Sequence, residues 1–248
     1  MNQEQNLKWL ILSGVSETVG ESPVNRLAGK KAILEPVLDS TPSPVASDDT
    51  FVRRAEQVAA EAESLTDLYR RRAEFDGCPL KKTALHTLNG RGVPLPDILC
   101  MTDTPDTADE KAGQLFGGET GTLLDKMLAA IGLNLSQNAY VSSLIPWRPP
   151  GNRKPTEAEL AVCRPFWERE IDFLKPKVLL LFGGGVAQAL LGISALSKAR
   201  GTWHTWHGIP TRVSIAPATL LKLPAQKKQA WEDLQAIQKH LTEGTVSK

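Results

Sequence analysis

The run Val178-Leu179-Leu180-Leu181-Phe182 leaves this chain few folds to choose from. It is strand length and shows no polar alternation, so a strand here has both faces buried. Gly183-Gly184-Gly185 comes next and opens a helical stretch, "GGGVAQALLG". A doubly buried strand turning directly into a helix is the signature of a parallel sheet covered on both sides. The rest of the chain repeats the alternation. "DILCM" (97–101), "NAYVSSLI" (138–145) and "TRVSI" (211–215) read as further strands. Between and after them, 120–133 carries Leu123, Leu124, Met127, Leu128 and Ile131 on one helical face, 156–174 is capped by Thr156, and 225–241 closes the domain as a helix. Ligands of such sheets sit in the crevice beyond the carboxyl ends of the strands, which directs attention to the residues just after Met101, Val141, Phe182 and Ile215.

Upstream, Val52, Ala55, Val58, Ala59, Ala62, Leu65 and Leu68 keep helical spacing and predict one packing helix over 51–74. "LEPVLDSTPSPVASDD" (34–49) is rich in Pro, Ser and Asp, so residues 1–50 read as an extension with a flexible linker. The predicted domain spans 75–241, with a short tail over 242–248. There is no internal repeat.

The chain's formal net charge is +1, so no global field favours nucleic acid and any polyanion must be held by a local patch. Its three cysteines (Cys78, Cys100, Cys163) are odd in number and widely spaced, which predicts reduced thiols in the cytoplasm. The apolar run "LKWLIL" is too short for a signal peptide, and Glu4 precedes it where positive charge is expected. No stretch approaches the roughly 18 apolar residues of a membrane span. The expectation is a soluble, cytoplasmic protein without a membrane partner.

The strand ends carry the candidate chemistry. "TDTPDTADEKAGQLFGG" (102–118) offers Asp103 and Asp109 and one aromatic, Phe116. "SSLIPWRPPGNRKP" offers a rigid Pro-Pro-Gly turn between Arg148 and Arg153, with Lys154 beside it. The last strand runs into Ala216-Pro217, two leucines and Lys222.

"RPPGNRKPTEAELAVCRPF" (148–166) closely resembles a segment of the family 4 uracil-DNA glycosylases. "FDGCPLKKTA" (75–84) and "PAQKKQAW" (224–231) strengthen the match, in the same order along about two thirds of the chain. The resemblance implies a three-layer α/β/α domain with a short central parallel sheet. It also implies a DNA partner, single- or double-stranded, from which uracil is excised after the nucleotide is turned out of the stack. The family's Gly-Glu-Ala-Pro-Gly motif falls on Thr102-Asp103-Thr104-Pro105-Asp106, and its later glutamate on Asp109. Its stacking aromatic falls on Phe116 and its base-reading asparagine on Ser143. Its leaving-group histidine falls on Ala216, and its duplex-wedging leucine on Leu220.

Several of these positions have lost the group the chemistry needs. Shortening glutamate to aspartate displaces a carboxylate by about 1 Å, which can cost on the order of 10²-fold. Losing one donor to a departing anion costs roughly 10² to 10³. The family's iron-sulfur cluster takes four thiolates, of which only Cys78 and Cys163 have counterparts, so no cluster is expected. Phe75 or a neighbour, and Trp147, stand at the other two positions. The DNA-facing residues Arg148, Arg153, Lys154, Leu220 and Lys222 are kept.

Each residue also has an ordinary structural reading. Asp103 and Asp109 suit turn capping, Phe116 and Leu220 suit core packing, and Arg148 and Arg153 suit ion pairs with Glu157 and Glu159. His204 and His207, in the loop before the last strand, are the nearest substitutes for the missing histidine. The expectation favours a DNA-binding family member whose uracil excision is weak or lost. An active glycosylase of altered lesion specificity is the alternative, as is an interaction protein that docks a partner through residues 1–50.

Overall fold

The structure, a computed structural model, describes residues 48–246. The extension expected over 1–50 therefore lies almost wholly outside the described residues. The sheet has the spatial order β1-β3-β2-β4-β6-β5. Its four central strands, β2 (Ile98–Thr102), β3 (Ala139–Ser143), β4 (Val178–Phe182) and β6 (Ile209–Ser214), are parallel. In register, Cys100 of β2 stands between Val141 of β3 and Leu180 of β4. The edges are antiparallel: β1 (Arg91–Gly92) on β3 and β5 (Trp203–Trp206) on β6.

Neither edge strand was legible in the sequence. β1 is two residues long, and β5 lies in the stretch read as a loop. The β5–β6 hairpin turns through His207 and Gly208, both at positive φ (45° and 84°). That geometry matches the twist of a tight hairpin, but its usual signature is Asn-Gly rather than His-Gly.

Side chains alternate across the sheet as a period of two demands. Leu99, Met101, Leu179, Leu181 and Val213 face one layer with α1 (Asp48–Ala60), α2 (Leu65–Glu74) and α5 (Glu157–Leu174). Ile98, Cys100, Val178, Leu180 and Phe182 face the other, with α4 (Gly118–Ala129) and α9 (Lys227–Val246). The fold is three-layered, α/β/α, around a short parallel centre.

The single helix expected over 51–74 is two. Ser64 interrupts it, its Oγ accepting from the Asp67 N–H at 3.1 Å as the cap of α2. α2 is then fastened to α5 by buried polar groups: Tyr69 donates to Glu170 at 2.5 Å and Arg72 pairs with Glu170 at 3.1 Å. At the other end of the chain, α9 continues to Val246, through most of the expected tail.

The chain passes from β2 outward to β3, then returns over α5 to β4 on the far side of β2. At such a reversal the connections leave the ends of β2 and β4 in opposite directions and open a crevice between them. The crevice is the candidate site.

Candidate active site

A cleft of about 910 Å³ lies at the carboxyl ends of β2, β4 and β6. It gathers segments far apart in the chain: 102–109, Phe116, Glu119 and Thr120, 152–154, Phe182 and Gly183, 216–219, and Leu221 and Lys222. Of the residues singled out from sequence, Asp103, Asp109, Phe116, Arg153, Lys154, Ala216 and Lys222 line it. Ser143, Arg148 and Leu220 do not. A second groove, of about 710 Å³ between α1 and α5, brings together none of these positions.

Asp103 is placed by the sheet. The Ile145 N–H donates to its carbonyl at 3.1 Å, extending the β2–β3 pairing one step past the strand ends. Its Oδ1 accepts from the Thr104 N–H at 3.0 Å. Its Oδ2 occupies the space beside Gly185 in α6 (Gly184–Leu191), where an added Cβ would lie 2.9 Å away. The glycine run thus admits a carboxylate beside the start of a helix, where negative charge is favoured.

Asp106 caps α3 (Thr107–Ala112), its carboxylate accepting from the N–H groups of Ala108 and Asp109 at 2.7 and 2.9 Å. A residue without a side chain would leave those amides open to a ligand; here they are already bonded. Asp109 completes the capping box by accepting from the Asp106 N–H at 3.1 Å, and it accepts from Gly117 N–H at 2.7 Å. It is buried, and that burial pushes its carboxyl up to about 6 against these hydrogen bonds. Asp109 both lines the cleft and holds its wall together.

Phe116 is a buried non-glycine residue at φ 53°, a left-handed conformation that costs energy unless its surroundings impose it. They do so here. Arg91 donates to the carbonyls of Leu115 at 2.8 Å and Phe116 at 3.2 Å. Gly121 packs so close that an added Cβ would fall 1.8 Å from the Phe116 oxygen. The Phe116 ring meets Phe182 edge-to-face at 6.0 Å, forming an aromatic floor.

The two arginines are committed to the protein itself. Arg148 donates to Glu110 of α3 at 2.6 Å and to Asn152 at 2.9 Å. Arg153 grips Glu159 with two bonds of 2.6 and 2.9 Å. The pairing with Glu159 was an expected alternative; the pairing of Arg148 with Glu110, across 38 positions, was not. Lys154 and Lys222 remain exposed at the rim.

Three expectations meet a different geometry. Leu220 is 1% exposed and packs in the core, whereas a residue that enters a duplex must face outward; its neighbour Leu221 is 39% exposed and lines the cleft. Ser143 is buried and donates to the Ile145 carbonyl at 2.9 Å, so its hydroxyl is used locally. His204 bonds to the Ala199 carbonyl, and His207 stacks on Trp206 at the start of β6, the opposite end of that strand from the cleft. None of the four histidines lines the cleft. Ala216 itself stands as the cap of α8 (Pro217–Lys222) with no side-chain bond to the helix.

The profile of the uracil DNA glycosylase superfamily matches residues 90–235, a span that contains every lining segment of the cleft. The chain belongs to that superfamily. It is 28% identical over 170 residues to the type-4 uracil-DNA glycosylase of Sulfurisphaera tokodaii, covering 64% of this chain and 77% of that one. The type-4 enzyme of Archaeoglobus fulgidus is 27% identical over 184 residues, covering 71% and 92%. A DNA polymerase of Bacillus phage SP01 is 26% identical over 175 residues, 71% of this chain but only 18% of the polymerase.

The donor set of this superfamily member does not fit the four-thiolate cluster that the sequence resemblance raised. Cys78 and Cys163 are buried free thiols. Phe75 packs on Phe166 with ring centroids 5.2 Å apart, and Trp147 is buried with its N–H on Thr87 at 2.9 Å. The resemblance puts the other two thiolates at Phe75 or a neighbour and at Trp147, and both of these rings are packed into the protein. Among the described residues, no three His, Cys, Asp or Glu side chains are grouped to hold a metal ion.

Sequence reasoning missed Arg91, Glu110 and Asn152. Asn152 sits at φ 55° and its amide exchanges hydrogen bonds with Thr107 of α3, so it clamps the Pro-Pro-Gly turn onto the cleft wall. Its place inside "PPGNR" was the available signal.

Proposed function

We propose that this protein binds DNA in the cytoplasm, in a base-excision context, and that its excision of uracil is weak or lost. The observation that supports this reading is Ala216, a methyl-bearing residue lining the cleft at the position to which the resemblance assigns a donor to the leaving base. A departing uracil becomes an anion, and the acceleration of such a step rests on preorganised donors. Lys154 and Lys222 at the rim supply the local positive charge that a backbone requires and that a chain of net charge +1 lacks as a whole. The names of the type-4 relatives support uracil-containing DNA as the ancestral substrate.

The test is single-turnover uracil release from single-stranded and U·G duplex oligonucleotides, with DNA binding measured on the same preparations. The natural protein is expected to bind DNA in a salt-dependent way and to release uracil near background. Ala216→His is expected to raise release by about 10-fold or more, a fraction of the roughly 10² to 10³ that one such donor supplies. Release well above background by the natural protein overturns the reading of the cleft. Absence of DNA binding at moderate salt overturns the choice of partner.

A further inference from the structure

Resting on the reading that this glycosylase cleft no longer suits uracil, we propose that it excises positively charged, N-alkylated purines from DNA. The charges of the cleft are layered. Asp109 is buried and Asp103 and Asp106 are half-buried, while Lys154 and Lys222 are exposed at the rim. Glu119 adds a fourth carboxylate at the mouth, and the charge of Arg153 is matched by Glu159. A basic rim suits phosphates; an acidic floor repels the anion that uracil becomes and attracts a cation. Phe116 and Phe182 also line the cleft, packed edge-to-face, so a positively charged ring entering it meets aromatic π-systems. Methyl in place of imidazole at position 216 leaves room for a two-ring base in a cleft of about 910 Å³.

The chemistry explains why the lost histidine is not needed. Alkylation at N7 or N3 puts a positive charge on the purine before any bond breaks. When the C1′–N9 bond cleaves, its electron pair passes to the ring, which departs as a neutral molecule. No negative charge develops on the leaving group. The positive charge moves instead to the sugar as an oxocarbenium ion, which Asp103 is placed to stabilise. Water adds at C1′ and gives its proton to that carboxylate and then to solvent. The products are an abasic sugar, a neutral free base and one proton.

The test uses the full chain and duplex oligonucleotides carrying one 7-methylguanine, one hypoxanthine or one uracil, with released base measured by chromatography under single turnover. Release of 7-methylguanine is expected at about 10²-fold or more above its spontaneous loss, with hypoxanthine, a neutral purine, slower. Asp103→Asn should lower that release by about 10²-fold with DNA binding unchanged. Glu119→Gln, an exposed substitution that spares the fold, should narrow the ratio of 7-methylguanine to hypoxanthine release. No release of 7-methylguanine above its spontaneous rate, with DNA binding intact, overturns this inference and leaves the proposed function standing. Equal release of the charged and neutral purines also overturns it, because the acidic floor then selects nothing. Brisk uracil release overturns both.

Discussion

At the scale of single residues, Asp109 shows how one carboxylate is asked to do two things. It accepts from the N–H groups of Asp106 and Gly117, bonds that favour its charged form, while its burial raises its pKa from 3.8 to about 6. Below about pH 4 the side chain is protonated in both the folded and unfolded chain. Between about pH 4 and 6 the unfolded chain ionises it and the folded protein resists, so stability falls as pH rises through that window and levels off above it. The full shift corresponds to up to about 3 kcal/mol, at about 1.36 per unit. Asp109→Asn removes the titration and forfeits one acceptor, for a cost of about 1–3 kcal/mol. Denaturant midpoints measured from pH 4 to 7 should therefore fall less steeply for Asp109→Asn than for the natural protein. An unchanged slope would place the titration elsewhere. The same scale shows why Leu220 and Leu221 were hard to separate in the sequence. Which of two adjacent leucines faces inward depends on where α8 begins, and each residue turns the helix by about 100°. Pro217 as the first helical residue puts Leu220 in the core and Leu221 at the cleft.

At the scale of elements, the cleft wall is held by contacts between the loop at Phe116 and the first turn of α4. Gly121 permits the approach of the Phe116 carbonyl, and the obstruction that a methyl group would meet is backbone, which cannot swing aside. Gly121→Ala should cost about 3 kcal/mol, at the upper end of overpacking penalties, and release Phe116 from its left-handed conformation. Thermal unfolding and the near-ultraviolet signature of the Phe116–Phe182 pair would both report it; an unshifted melting temperature would mean that α4 slides to accommodate the methyl. The central strands were legible because a run such as "VLLLF" can only be buried on both faces. So were α4 and α5, from apolar period and, in α5, the Thr156 cap. The break between α1 and α2 was not, because "AESLTD" carries helical spacing straight through Ser64 and only the cap geometry ends it. The clamp of Arg148 on Glu110 was hidden for another reason: tertiary ion pairs leave no periodic trace in the chain. Cleft positions were visible as departures from a motif, yet the use of Asp106 as a cap depends on its extended backbone, which the motif alone does not specify.

For the whole molecule, the question is how a chain of net charge +1 holds a polyanion. Counting every Arg and Lys near the cleft overstates the answer, because a guanidinium already bonded to a buried carboxylate brings no net charge to a phosphate. Arg153 binds Glu159, whose side chain is 7% exposed, and Arg148 binds Glu110, equally buried. Removing either arginine leaves a buried acid without its partner, so Arg148→Ala and Arg153→Ala belong with stability, and each should lower the unfolding midpoint. Lys154 and Lys222 are the exposed rim cations, and each phosphate they neutralise releases counterions. Replacing both with glutamine should weaken DNA binding and make the plot of log K against log salt shallower by about 1.8 for duplex or about 1.4 for single strands. Unfolding should barely change, since neither lysine is in an ion pair among the described residues. The arginine variants should show the converse: lower stability, with the salt slope of the folded fraction preserved. An unaltered slope in the double lysine variant would move the DNA path off this rim, and with it the claim that base and backbone meet at one cleft.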